Sequence, residues 1–224
     1  MKILLFGATG MVGQGALREC LNDPGVQLVQ TVGRTATGVQ NAKCKEIVHT
    51  DLFHYAPIAG QLFGFDACLF CLGVASTGMK EADYYRLTYQ LTLAAAETLA
   101  RLNLQMTFIY VSGAGTDSSE RGHRMWARVK GKTENALLRL PFKAAYMFRP
   151  GLIQPLEGIQ SRTPLYRFFY KLLAPVFPLL RRLFRDQILT TEQLGHAMLV
   201  AAKRGAPKRV LEARDIRALS QESL

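Results

Sequence analysis

Long hydrophobic runs are missing from this sequence. No stretch reaches the ~18 consecutive apolar residues of a membrane-crossing helix, so no transmembrane span is expected. Cysteine is scarce, with four in 224 residues, which argues against a disulfide framework in a chain this long. Cys68 and Cys71 form a CxxC, but inside the apolar run ACLFCLG. On a strand, positions i and i+3 face opposite sides, so these thiols are not placed to share a metal; they read as small buried side chains. The opening MKILLFGATG has a single lysine and a short apolar run broken by Gly7, with no small-residue cleavage site. It reads as a buried strand and not as a secretory signal. Together these absences place the expected protein in the cytoplasm.

What is present is a globular composition, 49% hydrophobic and 20% charged, enough for one large domain with a small appended lobe. The net charge of +11 is unevenly spread. Residues 1–118 hold 8 Lys/Arg against 9 Asp/Glu, residues 119–154 hold 8 against 2, and residues 155–224 hold 12 against 6. A basic second half suits an anionic cofactor, an acidic protein partner or a membrane surface. Nucleic acid is disfavoured, because no helix-turn-helix or zinc module is recognisable.

Apolar runs alternate with helical patterns. Strands are expected at Ile3–Gly7, Val26–Val32, Glu46–His49, Asp66–Leu72, Thr107–Val111 and Ala144–Phe148. Helices are expected at Met11–Leu21, Ala82–Leu102 and Trp126–Leu140. Strands without polar alternation, separated by helices, predict a parallel sheet covered on both faces. The expected class is α/β: a Rossmann-like doubly wound parallel sheet with a small helical C-terminal lobe. Its core would span residues 1–154 and its substrate or partner lobe residues 155–224. In that lobe Leu165, Phe168, Phe169, Leu172 and Leu173 follow helical amphipathic spacing, as do Leu179, Leu180, Leu183 and Phe184. Thr190 with Gln193 forms a capping-box pattern for a helix ending at Gly205, before a short strand at Val210–Leu211.

The strongest chemical signal is Gly7-Ala-Thr9-Gly10-Met11-Val12-Gly13, set between a buried strand and a helix. The glycines provide the turn, the close backbone approach and the helix–strand contact that a pyrophosphate needs. The helix N-terminus provides N–H groups and a positive dipole end. A carboxylate after the second strand would accept the ribose hydroxyls of NAD, but Gly33-Arg34-Thr35-Ala36-Thr37 has none. Arg34 suits a 2′-phosphate, helped by the Thr35 and Thr37 hydroxyls, which favours NADP over NAD. Asp51, before Leu52, is placed either to meet the adenine amino group or to cap a helix.

With these residues in hand, the chain resembles the atypical branch of the short-chain dehydrogenases/reductases, especially the NmrA-like and Tat-interacting-protein-like proteins. The resemblance rests on GATGMVG at 7–13, TDL at 50–52, CLG at 71–73, YVSGAG at 110–115, Lys130-xxx-Glu134 and FRPG at 148–151. It implies that Cys71, Leu72 and Gly73 pass beside the cofactor. It further implies that Lys130 holds the nicotinamide ribose, that Ser112 lies near the nicotinamide, and that the backbone after Phe148 flanks it. Trp126 stands where such reductases carry a proton-donating tyrosine, and an indole N–H does not exchange a proton near neutral pH. His123, Ser118, Ser119, Tyr84 and Tyr85 are the substitute donors to weigh.

The expected activity is NADP(H)-dependent reduction of an apolar carbonyl or quinone-like small molecule. Two alternatives stand beside it: a non-catalytic NADP(H)-responsive regulatory protein, and a protein lying on a membrane through Phe168–Phe184 with Arg181, Arg182 and Arg185 at the headgroups. A homodimer through the long helix Ala82–Leu102 is a further expectation.

Overall fold

The computed structural model describes residues 1–155 and 187–223. Its centre is a parallel sheet of seven strands. These begin with β1 (Lys2–Phe6), β2 (Leu28–Gly33), β3 (Cys44–Val48), β4 (Ala67–Phe70), β5 (Thr107–Val111) and β6 (Ala144–Arg149). A short separate pair, β7 (Leu152–Gln154) with β8 (Ile188–Thr190), follows before the last strand of the large sheet, β9 (Val210–Glu212). The order β3-β2-β1-β4-β5-β6-β9 reverses direction next to β1, and crevices at such a switch point receive ligands in open α/β sheets.

The sheet is buried on both faces at β1, β4 and β5, which is why these strands read as apolar runs, while the edge strand β3, CKEIV, is partly exposed. Ile3 and Leu5 of β1 pack with Ala16, Leu17 and Cys20 of α1 (Met11–Asn22) and with Leu194 and Met198 of α5 (Thr191–Arg204). Leu4 and Phe6 face the other way, toward Ala95 and Leu99 of α3 (Leu91–Leu102) and Leu137 of α4 (Met125–Leu138). Phe6, Phe70 and Phe108 stack across β1, β4 and β5 at 5.3 and 5.8 Å between ring centroids. Cys68 packs in the second layer and Cys71 against the first, so the two thiols of the CxxC lie on opposite sides of the sheet, as strand alternation requires. Among the described residues no group of metal-ligating side chains is present and no helix is long and apolar enough to cross a membrane.

The long helix expected at Ala82–Leu102 is present but not uniform. It runs as α2 (Glu81–Tyr85), a π-helical turn at Arg86–Gln90, and α3. The capping box at Thr190 forms: its hydroxyl accepts from the Gln193 amide at 3.0 Å, and its own amide donates to Gln193 Oε1 at 3.0 Å. The helix it opens, α5, ends at Gly205, whose φ of 86° is a glycine conformation. The last helix, α6, spans Ala213–Leu219. The two amphipathic stripes at 165–173 and 179–184, and with them the surface expected to meet a membrane or line a substrate pocket, lie outside the described residues.

Helix α5 is packed closely on α1. A Cβ on Gly15 would stand 2.6 Å from the Thr191 carbonyl oxygen, and one on Gly195 would stand 2.9 Å from the Gly15 carbonyl oxygen. At the far end of α1, Lys203 donates to both Asp23 carboxylate oxygens at 2.7 Å. Burial by itself would raise the Asp23 carboxyl, but bonds from Lys203 and the Gly25 amide outweigh it and hold the group below its ordinary value. A depressed folded-state pKa gives stability that is complete above the unfolded value of about 3.9 and is lost as pH falls through the folded value. Asp23→Asn is therefore expected to lower the melting temperature at pH 7, with the difference from wild type closing as pH falls through the lowered folded value. Thermal melts across pH check this; a difference that persists unchanged at low pH would exclude the ion pair as its source.

Candidate functional site

A cavity of about 460 Å³ opens at the carboxyl ends of the strands. The loop after β1 contributes Gly7, Thr9, Gly10, Met11 and Val12; the end of β2 contributes Arg34; the loop after β4 contributes Cys71, Leu72 and Gly73. The opposite wall is Ser112 and Gly113 after β5, Lys130 from α4, and Pro150, Gly151 and Ile153 after β6. The fold thus brings together eleven residues read from the sequence as cofactor-binding or catalytic.

The glycine loop is a cradle built by exclusion. Gly7 has φ of 78°, and a Cβ there would lie 2.8 Å from the Cys71 carbonyl and the Leu72 amide nitrogen. Gly13 lies behind the loop, where a Cβ would come within 2.1 Å of the Gly7 carbonyl oxygen. Gly10 caps α1 without a side-chain hydrogen bond, and the first turn of that helix carries no acidic residue. The unshared N–H groups and positive dipole end therefore face the cavity without internal competition, a surface suited to a diphosphate.

At the other wall the chain forms a buried polar network. The amides of Ser112 and Ala114 donate to the Phe148 and Pro150 carbonyls at 2.8 and 2.9 Å, holding the loop after β5 against the turn after β6. Trp126, Lys130 and Glu134 recur at i, i+4 and i+8 along α4 and so share a face. Lys130 Nζ donates to the Ser112 carbonyl. The Ser112 hydroxyl donates to Glu134 Oε1 at 2.5 Å. Arg149 clamps Glu134 through Nε at 3.0 and 3.2 Å and through a terminal nitrogen at 2.5 Å, and also reaches Glu212 at 3.1 Å and Ser118 Oγ at 2.5 Å. Burial lowers the Lys130 ammonium to about 8, against the raising pull of Glu134.

Other expected residues sit elsewhere. Asp51 is exposed and its Oδ1 accepts from the Phe53 amide at 2.9 Å, so it caps a turn. Leu52 is a core residue, packed in the layer with Phe6 and Phe70. Neither these two nor Trp126 lines the cavity. The Trp126 ring lies over the turn at Gly115, 3.5 Å from the point a Cβ there would occupy. Thr37 donates its amide at 2.8 Å, and its hydroxyl, to Glu46. Sequence reading missed the Glu134–Arg149 pair as a structural unit; an arginine directly before Pro150-Gly151, at the buried end of a strand, was the signal that it needed a carboxylate partner.

No protein-family model matches the chain. It is 28% identical over 159 residues to the protein fmp52, mitochondrial, of Emericella nidulans, a match covering 68% of this chain and 66% of that relative's length. Among solved structures it superposes on the enzyme WbmF of Bordetella bronchiseptica in complex with NAD+, with a TM-score of 0.69 and 13% identity, covering 97% of this chain and 76% of the other. It also superposes on the UDP-glucuronic acid 4-epimerase of Bacillus cereus in complex with NAD, with a TM-score of 0.65 and 12% identity, covering 95% and 76%. At such identities the likeness defines the class: a Rossmann-like α/β fold. The fmp52 relative is named as a mitochondrial protein, which overturns the cytoplasmic placement expected from composition.

Proposed function

We propose that the protein is a nicotinamide-dinucleotide-dependent reductase of the short-chain dehydrogenase/reductase type, preferring NADP(H) and acting on an apolar carbonyl or quinone-like small molecule, in a mitochondrial setting. The observation that carries the reading is one cavity holding the glycine cradle, Arg34 and Lys130 together. Solved neighbours described in complex with NAD support the coenzyme class. The finer likeness to NmrA-like and Tat-interacting-protein-like proteins belongs to the same proposal.

The residues fit such a coenzyme. The loop 7–13 would hold the diphosphate on backbone N–H groups, since no Cβ stands in its way. Arg34, with no carboxylate beside it in the turn 33–37, would pair with a 2′-phosphate. Glu46, the acidic residue nearest that turn in the fold, is engaged by Thr37. Lys130 keeps two N–H donors beyond its bond to Ser112 and would orient the second ribose. When bound, the reduced nicotinamide supplies a hydride. Pro150, Gly151 and Ile153 would exclude water on the side where the acceptor enters.

Arg34→Ala should weaken NADPH binding about 10–100-fold, the worth of a charge-assisted hydrogen bond or two, and leave NADH binding nearly unchanged. Fluorescence titration with each coenzyme checks this. Equal losses for both would remove the case for the 2′-phosphate. Activity is tested by NADPH oxidation across aldehydes, ketones and quinones.

A second reading, an NADP(H)-responsive protein without turnover, is favoured by two observations. Trp126 packs on the Gly115 turn, and the Ser112 hydroxyl is committed to Glu134. NADPH bound with high affinity but oxidised by no acceptor would decide for it. An acidic partner, a membrane surface met by the basic second half, and a homodimer through α2 and α3 remain proposals for flotation and sedimentation.

A further inference from the structure

Reduction of a carbonyl needs a proton as well as a hydride, and the tyrosine that resembling reductases use is Trp126 here. The substitute donors fail on position. The Tyr84 ring is 1% exposed, inside the core near Tyr110, and Tyr85 stacks on Tyr89 with centroids 4.8 Å apart. His123 is exposed in its loop and does not line the cavity. Ser118 Oγ accepts from Arg149, and Ser119 Oγ donates to Asp117 at 2.6 Å.

The polar side chains lining the cavity among the described residues are Thr9, Arg34, Cys71, Ser112 and Lys130. Arg34 does not give up a proton in water, and a threonine hydroxyl is far too weak an acid. Burial pushes the Cys71 thiol up, out of the neutral range. The Ser112 hydroxyl is engaged by two acceptors, Glu134 Oε1 and the Phe148 carbonyl. Among the described residues Lys130 is what is left, and its surroundings explain why it can act. Arg149 takes both oxygens of Glu134, so the nearest carboxylate is neutralised by a guanidinium rather than by the amine. The charged and titratable groups around it are Glu134 on its own helix, Arg149 from β6, and Arg34 and Cys71 from the ends of β2 and β4 in the same cavity.

Resting on the reductase reading above, we infer that Lys130 itself is the proton donor, taking over the task of the tyrosine that Trp126 replaces. A bound reduced nicotinamide would supply the hydride to the carbonyl carbon of the substrate; as the C=O π pair moved to oxygen, that oxygen would take a proton from Nζ. The neutral amine then regains a proton from water. An amine that titrates at about 8 matches the task, because a general acid works best with a pKa near the working pH.

The experiment compares wild type with Lys130→Arg, which keeps a cation for the ribose but cannot deliver the proton. The kcat for reduction should fall roughly 100-fold, the scale of lost general acid catalysis, and by more than any loss in coenzyme affinity. In wild type kcat should decline as pH rises through about 8. Independently of turnover, NMR of 13C-methylated lysines in the free protein should show one resonance with a midpoint near that value, absent from Lys130→Arg. Wild-type turnover matched by Lys130→Arg, or a Lys130 amine still cationic above pH 10 (the ordinary lysine range, about 10.4), overturns the assignment and leaves the reductase reading standing. Bound NADPH that no carbonyl oxidises brings down that reading, and this assignment with it.

Discussion

Gly13→Ala is expected to unfold or severely destabilise the protein and abolish coenzyme binding, whereas Gly10→Ala is expected to leave the fold intact and lose only the coenzyme. The difference follows from what each new methyl meets. At Gly13 the Cβ would lie 2.1 Å from the Gly7 carbonyl oxygen and 2.7 Å from its carbon. Both are backbone atoms, so no rotamer change relieves the clash, and the usual ~1–3 kcal/mol of overpacking is a lower bound. At Gly10 the nearest atom is the Gly7 oxygen at 3.3 Å, a contact that a shift of a few tenths of an ångström absorbs. The same methyl stands at the N-cap of α1, where a diphosphate would approach. A loss of affinity of tenfold or more, about 1.4 kcal/mol, is expected there. Melting curves with and without NADPH measure both effects. If Gly10→Ala gains as much thermal stability from NADPH as wild type does, the diphosphate does not lie where the cradle puts it.

The second large effect is expected at Arg149. Its side chain is the main partner of Glu134, which is fully buried. Arg149→Met strands that carboxylate with only the Ser112 hydroxyl, and breaking one side of a buried pair costs about 3–5 kcal/mol. For a chain of this size the melting temperature should fall by roughly 6–20 °C. Adding Glu134→Gln to Arg149→Met should recover part of the loss, because no unpaired charge is then left inside. Thermal unfolding of the two single variants and the double variant closes the cycle. A single variant melting within about 2 °C of wild type would show that Glu134 finds another partner or water. The pair also joins the cavity wall to the last strand through Glu212, so these variants are expected to disturb Lys130 as well as stability.

Most strands were legible from local pattern. The six expected strands recur within about three residues of their expected ends; for β1, β4, β5 and β6 the reason is that a strand buried on both faces is largely apolar, whatever its neighbours. The capping box at Thr190 and the stop at Gly205 were legible for a similar reason: both ends of each bond lie within a few residues of one another. The pair β7–β8 was not, since three-residue strands separated by more than thirty positions carry no periodicity. The π-helical turn at Arg86–Gln90 was hidden too; it inserts into a helix without changing its apolar character.

The site divides along the same line. By itself the sequence determined the glycine loop, the missing carboxylate in the turn 33–37 and the tryptophan at 126. Each is a statement about residue type at a position in one short segment. Only the tertiary structure decided that Asp51 caps a turn, that Leu52 belongs to the core, and that the Ser112 hydroxyl in the cavity wall bonds Glu134. Only it brought Arg149 from β6 to Glu134 on α4, which leaves Lys130 as the amine in the wall. For Ser112, Glu134 and Arg149 the outcome turns on which partner a polar group meets once buried, and those partners lie fifteen to sixty-three residues away. A chain pattern records what a residue is, while burial and long-range pairing decide what its proton or charge can do.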